Sequence, residues 1–292
     1  MASSTQTAPE LTQEQVQRML VQPLMAASTF LASGPRIFDT DGNQIRIPTL
    51  VSMGSPNWHG ENELITEIDP DFGEITLLPS GMKSVKSLTR FSNELARQSV
   101  VALDSALRDR MVTDVAAKLD SAFFAGTGGT PAGSEPQGML SWSGTTAILN
   151  VGTLTLDHLL DALGQAMASN VEVGRCKWFM RSSTFIKIRK LKDNSNKYLV
   201  QPDPTQDALF RLFGIPVVVT NRIPEVAGTP ITTSVVLCDM SKVAVARDTA
   251  PSVKILDQTF GNYDQQAIRV VARYDAKPML PEAVVVLRGV TA

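Results

Sequence analysis

Histidine and cysteine are nearly missing from this chain, with two of each in 292 residues, and that scarcity removes whole classes of chemistry. His59 lies in a polar stretch and His158 on the first turn of a predicted helix; neither has neighbours at triad or metal-ligand spacing. A histidine-based nucleophile or a zinc centre is therefore not expected. Cys176 and Cys238 also lack such spacing, which reads as two reduced, buried thiols in a cytosolic compartment. Clustered charge of one sign is missing too, because 27 Lys and Arg stand against 29 Asp and Glu, mixed along the chain. A dedicated nucleic-acid or anionic-membrane binder needs a clustered basic surface, so the composition argues against that class. No apolar run approaches the roughly 18 residues of a membrane span, and the polar start MASSTQTAPELTQEQVQRML has no stretch of signal length. The expectation is a protein neither embedded in a membrane nor exported by that route.

What the chain does have is length in one helix. Ser92 to Gly133 reads as a single amphipathic helix running into a glycine-rich loop, with Ser92 placed to cap it and Glu94 in the first turn, where the helix dipole favours negative charge. Leu103, Leu107, Met111, Val115, Leu119 and Phe123 recur every four residues, with Leu95, Val100 and Ala116 beside them. Arg97, Arg108, Asp109, Asp114, Lys118 and Asp120 fall on the opposite side and are expected to be wet. Unbroken by proline, such a helix would extend roughly 45–50 Å, a strut better than a catalytic platform. Gly126 is its expected C-terminal stop.

Ahead of the helix, residues 1 to about 34 form an arm with too few apolar residues to fold alone, with a short helix from Thr12 until Pro23 stops it. Ile37-Phe38 and Ile45-Arg46-Ile47 flank Asp41-Gly42-Asn43 as a tight hairpin would. Thr49 to Arg90 then reads as a long projection, its outgoing strand 49–53 and returning strands 73–78 and 84–89 bracketing the polar tip PNWHGENELITEIDPD. A two-stranded projection of that length cannot bury itself. It lies either on a neighbouring subunit or free as a surface loop or lid. After the glycine-rich loop, 141–150 reads as a strand pair and Thr155–Ser169 as a helix with Leu156, Leu159, Leu160, Leu163 and Met167 on one face. Strands are expected at 178–180, 212–220, 234–239, 268–275 and 281–287, with a helix at 183–191. The 268–275 strand alternates Ile268, Val270, Ala272 and Tyr274 with exposed Arg269, Arg273 and Asp275. Without regular βαβ alternation the class is α+β.

Candidate chemistry is thin. Gly126-Thr127-Gly128-Gly129 ends a helix where a phosphate loop would open one, and it lacks the Gly-Lys-Ser/Thr ending. Asp39-Thr40-Asp41-Gly42-Asn43 places its glycine too early for a calcium loop, and Leu50 stands where the bidentate Glu belongs. Glu61, Glu63, Glu67, Asp69, Asp71 and Glu74 make the projecting tip acidic, which suits a solvated or partner-facing charge run. Arg211, Arg222, Arg247, Arg269, Arg273 and Arg288 are scattered, which suits intersubunit ion pairs. No catalytic residue, cofactor or metal is expected.

Together, Trp178-Phe179-Met180, the helix 183–191 running into LKDNSNKYLV, and FGIPVVVTNRIP resemble the central signature of tailed-phage major capsid proteins. The order before it is similar: arm, extended hairpin, spine helix ending in AFFAGTG, then a turn with QGML. DMSKVAVARD and RVVARYDAKPMLPEAVVVL resemble the closing strands, so the likeness covers about Phe38 to Gly289. It implies an α+β fold of Hong Kong 97 type with an N-terminal arm (1–36) and an extended hairpin loop (49–90). A peripheral domain containing the spine helix would take 37–48, 91–150 and 243–280, and an axial domain 151–242 and 281–292. It also implies a structural protein, self-associating into the hexamers and pentamers of an icosahedral head around double-stranded DNA, in the virion after assembly in host cytoplasm. A portal and a separate scaffolding protein are implied partners, since the arm has no long helix to serve as a built-in scaffold unless one was removed. The residues expected to meet neighbouring copies are Trp58, Glu61, Glu63, Glu67, Lys83 and Lys86 of the hairpin, with Arg97 and Arg108 of the spine. Some members weld their shells with a Lys to Asn isopeptide bond. Here Gln266 stands where that Asn would be, so no cross-link is expected. The rivals are an encapsulin-type compartment of the same fold and an enzyme using the glycine-rich loop.

Overall fold

The computed structural model describes residues 28–40, 43–52, 58–62, 64, 67, 69, 71–77, 83–98, 103–129, 133–192, 195–196, 198, 210–256 and 258–292. In chain order the elements are α1 (Thr29–Ala32), β1 (Arg36–Asp39), β2 (Ile45–Ser52), β3 (Asp71–Leu77), β4 (Ser84–Ser92), α2 (Asn93–Gln98) and α3 (Leu103–Ala125). Then follow β5 (Thr146–Ile148), α4 (Leu156–Ala168), β6 (Cys176–Met180), α5 (Ser182–Arg189), β7 (Arg211–Leu212), β8 (Ile215–Val219), β9 (Thr232–Asp239), β10 (Val243–Leu256), β11 (Gln265–Pro278) and β12 (Val284–Thr291).

Period-four apolar spacing becomes the buried stripe of α3. Met111, Val115, Leu119 and Phe123 are each 5% exposed or less, and full burial of such side chains contributes about 1.5–3 kcal/mol each. The stripe lies across a four-stranded sheet ordered β1-β10-β11-β4. Alternation in β11 sends Ile268, Val270, Ala272 and Tyr274 toward the helix, as expected. A second sheet, ordered β5-β12-β9-β6-β8-β7, has two buried faces. Phe179, Val236, Cys238, Val284 and Val286 join the α3 core, whereas Trp178, Met180, Val235, Leu237, Val285 and Leu287 form a second core under α4 and α5. Strands buried on both sides read as continuous apolar runs, and CKWFM and AVVVL are such runs.

Several expectations are corrected. Residues 36–47 are not a hairpin: β1 pairs in parallel with β10, while β2 pairs with β3 in a separate two-stranded sheet. The strand pair at 141–150 reduces to β5 alone, which pairs in parallel with β12. Residues 84–90, assigned above to the projection, form β4, which adds to the four-stranded sheet through β11. The expected single helix is described as α2 and α3, with residues 99–102 between them outside the described residues, and α3 alone is about 35 Å long at 1.5 Å per residue over 23 residues. The cap is as predicted, with Ser92 Oγ accepting from Leu95 N at 3.2 Å. The predicted helix at 12–23 lies outside the described residues.

Asp120 and the arm also differ from expectation. Asp120 is 3% exposed, and it accepts hydrogen bonds from Thr29 N at 2.7 Å and from Ser28 Oγ. That carboxylate anchors α1, whose Phe30 is fully buried 4.8 Å from the Phe123 ring. The end of the arm is thus part of the core. On α4, Leu160 and Met167 were expected on the buried face but are 48% and 59% exposed, the buried face being Leu159, Ala162, Leu163 and Ala166.

Candidate assembly interface

The extended hairpin is held at its root. Ile45 pairs with Leu77, and Leu77 packs with Ala244, Ala246, Phe38, Ile47 and Met279 on the sheet face opposite α3. Farther out the ladder runs to Leu50 opposite Phe72, and cover runs out: Phe72 is 71% exposed, Leu64 89% and Trp58 fully exposed. Glu61, Glu67, Asp69, Asp71 and Glu74 are exposed around them, and Glu63 lies outside the described residues. Large apolar side chains left in water on an acidic projection are the kind of surface that marks interaction sites in general.

Lys83, expected among the groups facing a neighbour, is instead occupied at home. It is 8% exposed and lies 2.7 Å from Asp275 Oδ1, whose residue is fully buried. Asp275, expected to be exposed, is covered because the hairpin root closes over that end of the sheet. Its carboxylate also accepts from Ala276 N at 3.0 Å. A charge pair taken out of water holds its geometry tightly, since separating it leaves an uncompensated ion.

Beyond the root the same sheet face is open and basic. Cross-strand register puts Leu88 beside Arg269 and Arg269 beside Lys254, with Lys86 and Arg273 on the same side. Arg90 joins them, its guanidinium 5.0 Å from the Phe260 ring centre. These cations come from β4 and from the β10–β11 pair more than 150 residues later, so the chain shows them only as scattered residues. Other arginines in the scattered set serve the subunit itself. Arg247 forms a two-pronged pair with Asp39 at 2.6 and 2.8 Å, which holds the Asp39 carboxyl below the usual carboxylate range, and Arg288 donates to the Leu140 carbonyl. Arg97 is exposed on α2, and Arg108 is placed on α3 with its side chain outside the described set.

The residues on either side of the glycine-rich loop close the end of α3. The carbonyls of Phe123 and Phe124, which the helix leaves without partners, accept from Met139 N at 2.8 Å and Leu140 N at 3.1 Å. Gly126 ends the helix as expected, and a Cβ there would meet Pro136 O at 2.2 Å. Gly138 sits so close that a Cβ would meet the Ala125 and Gly126 nitrogens at 2.6 Å. Trp142 locks the far side by donating from Nε1 to Gln137 O at 2.9 Å.

His158 Nδ1 accepts from Thr155 N at 3.3 Å as part of the α4 cap, and His59 sits on the projection. Both cysteines are buried free thiols, as predicted, and burial, helped by Asp239, pushes Cys176 up to about 12. Among the described residues no three His, Cys, Asp or Glu side chains are grouped to hold a metal ion. A cleft of about 510 Å³ runs between the hairpin root (Thr49, Glu74, Thr76), Trp142 and the β11–β12 junction (Lys277–Glu282).

Comparison with known proteins agrees with this architecture. The chain is 24% identical over 140 residues to the major capsid protein of Halomonas phage phiHAP-1, a match covering 48% of this chain and 22% of that protein's length. Among solved structures, the capsid of a native GTA particle superposes with a TM-score of 0.77 at 17% identity, covering 99% of this chain and 100% of that one. A structure from Mycobacterium phage Adephagia gives 0.73 at 16% identity, covering 98% of both chains. The two-sheet body with a spine helix and an extended hairpin is thus the Hong Kong 97-type capsid fold. Residues 10–289 match the model of the phage capsid family, and the chain belongs to that family.

Proposed function

We propose that this chain is a major capsid protein whose copies assemble into the hexamers and pentamers of an icosahedral head around double-stranded DNA. The observation that carries this is the hairpin, whose Trp58, Leu64 and Phe72 have no cover in their own subunit. Laid on a neighbouring copy, its acidic edge meets a surface of opposite sign, the open sheet face bearing Lys86, Arg90, Lys254, Arg269 and Arg273. Contacts of this kind are individually weak in water, and they gain from repetition by symmetry and from apolar burial beneath them. In this reading residues 1–36 are the arm and 49–90 the extended loop. The four-stranded sheet with α3 is the core of the peripheral domain, and 151–242 with 281–292 is the axial domain, whose sheet β5 of residues 146–148 joins at its edge. The work of the chain is mechanical rather than catalytic, with its DNA held without regard to sequence. A separate scaffolding protein and a portal complete assembly in the host cytoplasm.

Deleting residues 55–71 tests this. The expected result is a soluble subunit with native circular dichroism that forms no shells by electron microscopy. Normal shells from the deletion would remove the hairpin from the contact that holds them.

A further inference from the structure

The six-stranded sheet carries its two helices on one face, toward opposite sides of its central strand. α4 packs over β12, on one side of β9, and α5 is the crossover between the parallel neighbours β6 and β8 on the other side. Each helix uses one face for the core and leaves the other in water. On α4 the outward positions Asp157, Leu160, Asp161, Gly164 and Met167 follow helical spacing and are all exposed, an apolar and acidic stripe. On α5 and its C-terminal cap they are Ile186, Lys187 and Lys190, an apolar and basic one, with Lys187 also donating to the Ala292 carbonyl. Leu160, Met167 and Ile186 are 48%, 59% and 47% exposed, although helices of this length could have placed polar residues there.

From this we infer that the α4 stripe of one copy docks on the α5 stripe of the next. This inference rests on the shell reading above and assigns the contact that closes its rings. The charge signs choose the occupant. An α4–α4 contact would bring Asp157 and Asp161 against themselves, and an α5–α5 contact would oppose lysines, whereas α4 on α5 pairs acid with base around an apolar centre. Two different patches over opposite halves of one sheet make a head-to-tail contact, and such a contact generates rings where its rotation closes. Five and six copies use the same two stripes at slightly different angles, which a shallow helix-on-helix seam tolerates.

Charge reversal tests this with an arithmetic signature. Variant one carries D157K and D161K; variant two carries K187E and K190E; all four positions are exposed, and native circular dichroism of each is checked first. The expected result is that either variant alone loses capsomers by at least tenfold in native mass spectrometry, and that the quadruple variant regains them. An equimolar mixture of the two variants should recover hexamers but not pentamers, because alternating copies satisfy every seam only in a ring with an even number of members. Unchanged capsomer yield from both single variants, while wild type forms shells, overturns the α4–α5 assignment and leaves the shell reading intact. Wild-type protein that forms neither rings nor shells overturns the shell reading itself.

Discussion

Lys83 and Asp275 are worth more as a pair than their two charges suggest. Replacing either one alone leaves the other ion buried without its partner, which costs about 3–5 kcal/mol, whereas exchanging both for apolar groups of similar volume is far milder. Lys83→Met should therefore lower the urea midpoint of the dissociated subunit sharply, and the double variant Lys83→Met/Asp275→Leu should recover most of it. An equal loss in both would show that packing, not charge, holds the hairpin root. The pair was illegible in sequence for a definite reason. Alternation along β11 correctly put Asp275 on the side away from α3, but alternation says nothing about whether that side is covered, and the cover on that face comes from Ile45, Ile47 and Leu77 of β2 and β3. Asp120 was misassigned in the same way, since its companions Ser28 and Thr29 lie some ninety residues earlier.

At the scale of elements, local pattern was sufficient wherever an element is stabilised by its own periodicity. The stripe of α3, the double-faced runs of β6, β9 and β12, and the stop at Gly126 all follow from neighbours within a few residues. Pattern failed where pairing is long-range. Asp41-Gly42-Asn43 between two apolar pairs is a proper hairpin signal, yet β1 finds β10 some two hundred residues on, and no turn signal encodes that choice. The acidic hairpin was legible because its charges are contiguous, but the basic sheet face was not, because β4, β10 and β11 bring it together only on folding. The tightest element junction is the return of QGML onto α3. Gly138→Ala forces a methyl carbon into backbone nitrogens 2.6 Å away, and overpacking of this kind costs about 1–3 kcal/mol. The expected outcome is a lower melting temperature of the subunit, and an unchanged one would mean the loop has room to lift.

For the whole molecule, strength is expected to come from many reversible contacts. Lys83 is committed within the subunit, and Gln266, which the resemblance aligns with the cross-linking Asn of some family members, stands opposite Phe91 in the β11–β4 ladder. Shells boiled in detergent and reductant should therefore run as monomer, and a ladder of covalent multimers on the gel would contradict this. One core, meanwhile, spans both sheets: Phe179, Val236 and Val286 of one pack into the same cluster as Val245, Ile268 and Val270 of the other. No soft joint divides the body there, so in a shell built as proposed any change of curvature falls at the seams between copies while each tile turns as a rigid plate.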